Sequence, residues 1–317
     1  MTMLLTSRWA GAAQLEAART RVSEIDIDHL YLGLLAVGGQ AARILGRHGV
    51  SLSTARRRVR ESLASDLDAL GLAAAESVLP PPRAARDIDI ADWRATDRAH
   101  ELVNHAPLRD GTAAALGALI EEPSGVVRRL LAADGVDPDE LRTELATSAP
   151  ETAAVERVDA DPALLPPPSS ANRIRHYLSA PPRVVADALA DPALLAVWAY
   201  DPQRSEVSAD GETVRHSRGR KELTLRMHHV RRTEDASEVV TWIHEMVDGR
   251  HAGQPLRYDR FEIVPATGGA ELVHTAGQRS FGFLGRIVGP ASARFAGLGM
   301  LYAAHRIGME IADRQPE

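Results

Sequence analysis

Two periodicities divide the chain. Up to about residue 148 the apolar positions recur at helical spacing, and from residue 172 they alternate. In the first part Asp28-His29-Leu30-Tyr31-Leu32-Gly33-Leu34-Leu35 is followed by Ala41–Val50. Both segments recur, as Gly111–Ile120 and Val126–Val136, at offsets of 85 and 86 residues. Each copy ends a helix on a Gly-Val step, Gly49-Val50 or Gly135-Val136, which suits a left-handed C-cap. A further short helix is predicted after each, over Ser51–Leu63 and Asp137–Ala146, the second opened by Asp137-Pro138. A unit this small cannot bury its apolar face alone, and two copies packed together can.

The second part begins with a strand over Asn172–Ser179. Pro181-Pro182 then opens a helix to Ala190, and Asp191-Pro192 opens another that ends near Trp198. Strands are predicted over 203–208, 213–218, 221–231, 238–246, 256–265 and 270–279, with turns at Ala209-Asp210-Gly211, Thr233-Glu234-Asp235 and Thr267-Gly268-Gly269. The chain closes with a long helix that starts within 283–291 and runs to about Ala312. Its one-sided stripe (Leu284, Val288, Ala291, Phe295, Leu298, Tyr302, His305, Met309) should lie on one sheet face.

Between the two parts, residues 149–171 are rich in Pro, Ser, Ala and acids and carry Pro166-Pro167-Pro168, as expected of an extended linker. The domain division is therefore 1–148 (repeats about 4–63 and 92–146), linker 149–171, and 172–317. The 317 residues are 44% hydrophobic and 25% charged, enough for two cores. The absence of cysteine excludes disulfides, thiolate metal sites and cysteine nucleophiles. A net charge of −6, spread over both halves, speaks against nucleic acid as a partner. No signal peptide and no membrane span are expected, which points to the cytoplasm.

The helical repeat resembles the N-terminal domain of Clp unfoldases of the ClpA/ClpC type, over about residues 4–146, through Asp28–Leu35, Gly111-Thr112 and Leu119-Ile120. The resemblance implies an all-α double-repeat bundle that docks peptides, adaptors, other Clp protease components or Clp-directed antibiotics. It implies Thr6, Asp28, His29 and Thr112 as contacts for a peptide or phosphoarginine. Asp28 stands for the first motif glutamate and is also placed to cap a helix, while Ala113 and Ala114 replace the second motif's acid and histidine. No G-x-x-x-x-G-K-[ST] loop occurs, so no ATPase or protease activity accompanies the domain.

The second part resembles the SRPBCC superfamily of START-like and polyketide cyclase/dehydrase-like proteins, carried by Leu178–Trp198 and by the strand–helix–helix–strands–helix order. The resemblance implies an α+β helix-grip fold, a curved antiparallel sheet around a long C-terminal helix. It implies a pocket for an apolar, lipid- or polyketide-like small molecule. Candidate lining residues are Leu225, Arg226, Met227, His229, Trp242, His244, Phe261, His274, Phe295, Leu298 and Tyr302. Arg226 is included because an inward arginine can pair a ligand acid. His228, His229, His244 and His274 fall mid-strand, with His305 on the helix, but no HxH or HExxH spacing occurs and neither metal nor cofactor is expected. The expected function is a non-enzymatic two-module binding protein, a ligand-responsive adaptor or decoy for a Clp protease. The alternative is a cyclase or dehydratase that uses a pocket histidine as acid or base.

Overall fold

The computed structural model describes residues 2–71, 94–105, 111–148, 155–200, 204–208, 210–218, 221–280 and 299–315. Pro80-Pro81-Pro82 and the predicted start of the last helix, with Phe295 and Leu298, lie outside the described residues. The first part is helical: α1 (Thr2–Arg19), α2 (Ile27–Val37), α3 (Gln40–Arg47), α4 (Leu52–Ala69), α5 (Asp97–His105), α6 (Thr112–Glu121), α7 (Val126–Ala133) and α8 (Pro138–Thr147). The starts of α6, α7 and α8 follow those of α2, α3 and α4 by 85, 86 and 86 residues.

Short-range chemistry sets these boundaries. Gly49 and Gly135 take φ of +81° and +78°, and the amides of Val50 and Val136 return to the carbonyls of Leu45 and Leu131, closing α3 and α7 alike. Asp137 caps α8 through the amides of Asp139 and Glu140, with Pro138 in the first turn. The cap of α2 is Asp26 rather than Asp28: its carboxylate accepts from the Ile27 amide at 2.9 Å, and its own amide donates to His29 Nδ1 at 3.1 Å. Leu30, Leu34, Leu45, Leu116, Leu119 and Leu131 then meet in one core.

The second part is an eight-stranded sheet: β1 (Glu156–Val158), β2 (Ser169–Leu178), β3 (Ser205–Val207), β4 (Thr213–Arg218), β5 (Lys221–Glu234), β6 (Ser237–Met246), β7 (Pro255–Ala266) and β8 (Gly269–Arg279). Its order is β1-β2-β8-β7-β6-β5-β4-β3, with every neighbouring pair antiparallel. Between β2 and β3 run α9 (Pro182–Leu189) and α10 (Pro192–Trp198), and the chain ends in a helix described over 299–314. Leu189, Leu195 and Trp198 of the paired helices and Ile307 and Ile311 of the last helix share a core with Trp242, Phe261 and Leu272 of the sheet. The architecture is mixed, helices plus a large antiparallel sheet, and is compatible with a helix-grip fold.

The expected linker is not a spacer over its described residues 155–171. Glu156–Val158 adds an edge strand to β2, the Asp161 amide donates to the Tyr258 hydroxyl at 3.2 Å, and Leu165 is fully buried. A leucine among the prolines gives the segment an apolar anchor, and the β2 edge supplies unpaired backbone groups to complete.

The helical part is joined to the sheet at the end of β2 and along the last helix. The turn between α2 and α3 is Gly38-Gly39. The Gly39 amide donates to the Tyr177 carbonyl at 2.8 Å, and His176 Nε2 donates to the Val37 carbonyl at 2.9 Å. Gly38 has φ +83°, and a Cβ there would lie 2.2 Å from the Tyr177 carbonyl oxygen, so only glycine lets the strand end approach. The tyrosine hydroxyl crosses the α3 surface beside Gly46 and donates to the Thr267 carbonyl at 2.9 Å. On α4, the Leu52 amide donates to Ser179 Oγ at 2.8 Å.

Two arginines of the helical part reach the end of the last helix. Arg56 and Glu16 form a buried pair, with Nε to Oε2 at 2.9 Å, and Arg56 Nη2 also donates to the Ala312 carbonyl at 2.9 Å. Arg19 Nη2 donates to the Asp313 carbonyl at 2.9 Å. These donors satisfy carbonyls that a helix C-terminus leaves unpaired.

Two outcomes follow for stability. Removing one member of a buried pair strands the other charge, so Arg56→Met should cost about 3–5 kcal/mol in urea unfolding, and Glu16→Leu/Arg56→Met should recover much of that loss. The second concerns His305 on the last helix, whose ring lies edge-on to His176 at 5.2 Å. Burial, with His176 and Arg8 adding to it, pushes the His305 imidazole down to about 3. An unfolded histidine titrates near 6.5, so below that pH the unfolded chain binds the proton that the folded chain refuses. This contribution to stability is complete above pH 6.5 and is lost as pH falls towards 3, with a slope of about 1.4 kcal/mol per pH unit. His305→Phe should flatten the acid limb of the stability profile by that amount.

Candidate functional site

Residues directly opposite in an antiparallel pair point to the same side of the sheet. The registers Met227↔His244, Trp242↔Asp259 and Phe261↔His274 therefore place all six side chains on the inner face, the one covered by α9, α10 and the last helix. Most of that face is apolar. The exception is a row where β6, β7 and β8 bring His244, Asp259 and His274 together, all three buried.

Asp259 is the centre of this row. His274 Nε2 lies 2.9 Å from its Oδ1. His244 Nε2 lies 3.3 Å from Oδ2, an ionic contact outside hydrogen-bonding alignment. Arg257, two residues along β7 and only partly buried, approaches both oxygens: Nη2 donates to Oδ1 at 2.8 Å and Nε stands 2.7 Å from Oδ2. From the segment after α10, the Tyr200 hydroxyl lies 2.5 Å from His244 Nδ1. With His244 Nε2 turned to a carboxylate, its Nδ1 accepts and the tyrosine donates.

Burial alone would raise the Asp259 carboxyl. Arg257, His244 and His274 outweigh it and hold the group well below the ordinary carboxylate range. Burial pushes the His244 imidazole below its usual value, with Asp259 opposing it. Burial likewise raises the Tyr200 phenol. The row is thus a carboxylate and a guanidinium, mutually neutralised, beside a neutral imidazole and an un-ionised phenol.

Two aromatic rings, Phe261 and Trp198, pack against His274. Phe261 stacks on it with centroids 4.3 Å apart, Trp198 meets it edge-on at 6.0 Å, and Trp198 meets Phe261 at 5.0 Å. His274 Nδ1 and Trp198 Nε1 are both buried and have no hydrogen-bond partner among the described residues. Among those residues no group of His, Asp or Glu is arranged to hold a metal ion.

The lining residues named from sequence separate into three groups. Leu225, Met227, Trp242, His244, Phe261 and His274 are buried on the inner face, and His229 stands on that face at its exposed rim, its ring 4.5 Å from Trp242. Arg226 is not a lining residue: it sits one position out of phase with Leu225 and Met227, pairs with Glu245 in the register and is exposed. Tyr302 is not one either. It is exposed on the last helix, and the Arg8 guanidinium lies 3.5 Å over its ring. Phe295 and Leu298 lie outside the described residues.

The docking candidates of the helical part are mostly turned inward. His29 is buried in the cap of its own helix, α2, and Thr112 is buried with its hydroxyl accepting from the Ala41 amide at 3.1 Å, a bond from one repeat to the other. Asp28 accepts from the His29 amide at 2.8 Å, and Thr6 is half-buried on α1. Asp259, Arg257, Tyr200 and Trp198 were absent from the sequence-derived site. The signal for the first two was the parity of β7, since counting back by two from Phe261 gives Asp259 and Arg257 on the same face.

No protein-family model matches the chain, and no curated protein matches it. Among solved structures, TTHA0849 from Thermus thermophilus aligns at 12% identity and a TM-score of 0.33, covering 46% of this chain and 99% of that one. Protein Ms6760 from Mycobacterium smegmatis aligns at 15% identity and a TM-score of 0.32, covering 49% and 96%. Ara h 8.0201 aligns at 10% identity and a TM-score of 0.28, covering 44% and 97%. Likeness at these scores carries no argument about this chain, and the fold description rests on its own strand order and helices.

The row can be tested by removing one partner at a time. Tyr200→Phe leaves His244 Nδ1 buried without a donor and should cost about 1–3 kcal/mol. Asp259→Asn removes the buried charge that Arg257 and His274 both bond and, at about 1.5–3 kcal/mol for each such bond, should cost more, about 3–5 kcal/mol. Urea unfolding of the two variants beside the parent checks both the size and the order of these losses.

Proposed function

We propose that this chain binds an apolar small molecule on the inner face of its sheet, with the polar end of that molecule at the Asp259 row. The observation that carries the reading is the pair of buried ring nitrogens, His274 Nδ1 and Trp198 Nε1, without partners among the described residues. A core built only for stability has no use for them. Apolar residues in place of a buried ionic group are as stable or more so, and each unmade buried hydrogen bond costs about 1–3 kcal/mol. An apolar surface with a few converging polar groups of shifted ionisation is the usual make-up of a small-molecule site.

In this reading the helical repeat holds the last helix against the sheet. The Clp-type docking role draws no support from Asp28, His29 and Thr112, whose polar atoms bond within the helical part. A cyclase or dehydratase reading shares the Asp259–His274 contact, because a carboxylate-oriented imidazole is the arrangement of a general base.

Native mass spectrometry of the full chain purified from its host tests the proposal. A discrete adduct of a few hundred daltons that is lost on organic extraction is expected. Unadducted protein in every preparation, together with no change in tryptophan emission on adding an apolar aromatic probe, would count against it. Recovery of the adduct with its mass unchanged after incubation separates binding from turnover.

A further inference from the structure

We infer that the Asp259 row selects a neutral ligand that offers one hydroxyl and one carbonyl on an apolar skeleton, a hydroxy-ketone rather than a carboxylic acid or an amine. This deepens the binding reading above and rests on it.

The first ground is the hydrogen-bonding inventory. The Asp259 carboxylate can only accept, so the nitrogen of His274 that faces it, Nε2, carries the hydrogen. In the neutral ring the other nitrogen, Nδ1, is then an acceptor. Indole Nε1 of Trp198 is a donor and nothing else. His244 Nε2 and Asp259 Oδ2 face each other at 3.3 Å, and apart from that pair the row shows an incoming molecule one acceptor and one donor, on rings whose centroids are 6.0 Å apart. A ligand hydroxyl satisfies the first and a ligand carbonyl the second. His244 is turned away from the ligand at both nitrogens, Nδ1 bonded by the Tyr200 hydroxyl and Nε2 facing Asp259 Oδ2 at 3.3 Å.

The second ground is charge. Arg257 spends its guanidinium on both oxygens of Asp259, leaving no unengaged cation in the row for an anionic ligand. A carboxylate placed here would face Asp259 without compensation. A cation fares no better, because Arg257, His244 and His274 already surround the carboxylate. Either charge would lose its water for nothing, and that loss costs several kcal/mol.

Four probes on one skeleton test this with the full chain: tetralin, 1-tetralone, 7-hydroxy-1-tetralone and tetralin-6-carboxylate, each titrated calorimetrically against the parent and Trp198→Phe. In 7-hydroxy-1-tetralone the hydroxyl and carbonyl are held too far apart to bond each other. The expected order has 7-hydroxy-1-tetralone about tenfold tighter than 1-tetralone, 1-tetralone about tenfold tighter than tetralin, and the carboxylate weakest. Trp198→Phe removes the donor along with part of the ring, so tetralin and 1-tetralone should both weaken and the ratio of their affinities within the variant should fall to about one. Tetralin bound as tightly as the hydroxy-ketone, or the carboxylate bound tightest, overturns the neutral-ligand inference and leaves apolar binding standing. An unchanged ketone preference in Trp198→Phe overturns the assignment of the donor. Failure of all four probes overturns the binding reading itself.

Discussion

A carboxylate without solvent contact, in the middle of an apolar sheet face, sets the terms for everything around it. Asp259 is tolerable there only with Arg257 on its own strand and with His244 and His274 on the strands to either side. Those partners come from β6, β7 and β8, so the ion cluster and the register of the central strands require each other. A slip of one residue would carry Asp259 to the outer face and turn Tyr258 or Arg260 inward. The irregularity in the β6–β7 register falls between His244 and Glu245, at the edge of the cluster, where a change of strand direction re-aims side chains. The site is thus part of the sheet's pairing rather than an addition to it.

The second constraint is the join between helices and sheet. Only a double glycine lets the end of β2 reach the α2–α3 turn, and the second repeat, which has Glu122-Pro123-Ser124-Gly125 between its corresponding helices, offers no such notch. The two repeats have the same helical plan and different uses. The first meets the strand end and supplies Arg56 to the last helix, while the second packs against the first. Because the arginines grasp the carbonyls of Ala312 and Asp313, the helix that covers the sheet is held at its far end by the helical part.

Much of the sheet was legible in the sequence. Alternation and the turns at Asp210-Gly211, Asp235 and Gly268-Gly269 locate β4 to β8 within a few residues, because a half-buried strand has to alternate and a hairpin has to turn. The inner face was legible where apolar residues alternate with polar ones: Leu225, Met227 and Phe261 follow from phase, whereas both parities of β6 are apolar and phase alone does not settle Trp242. The same phase excludes Arg226, which was placed inside for its chemistry against its position. Asp259 escaped for the converse reason, since a charged residue in an alternating strand reads as solvent-facing until its partners on other strands are known. The helical part was legible as a repeat, but its packing was not. His29 and Thr112 looked like surface contacts because nothing in a local motif shows that the first will turn into its own helix cap or that the second will meet the α3 start of the other copy. Leu165 shows the same limit: prolines on both sides suggested a spacer, and one buried leucine ties that stretch to the sheet.

These features fit together through the energetics of an unfilled site. The Asp259 row is balanced in charge and incomplete in hydrogen bonds, a combination that costs stability in the free protein and returns it when a complementary molecule arrives. A surface loop could relax and hydrate the two nitrogens. Here the surroundings hold them in place, because Trp198 is locked between Phe261 and the α10 core and His274 is pinned by Asp259. Rigid surroundings convert an unmet donor and acceptor into selectivity, since a ligand lacking either group leaves the cost unrelieved and the site cannot adjust to hide it. The structures that supply this rigidity are the paired helices, the central strands and the last helix with its arginine-held end. On that account the helical repeat serves the site at a distance, by fixing the helix against which the sheet closes.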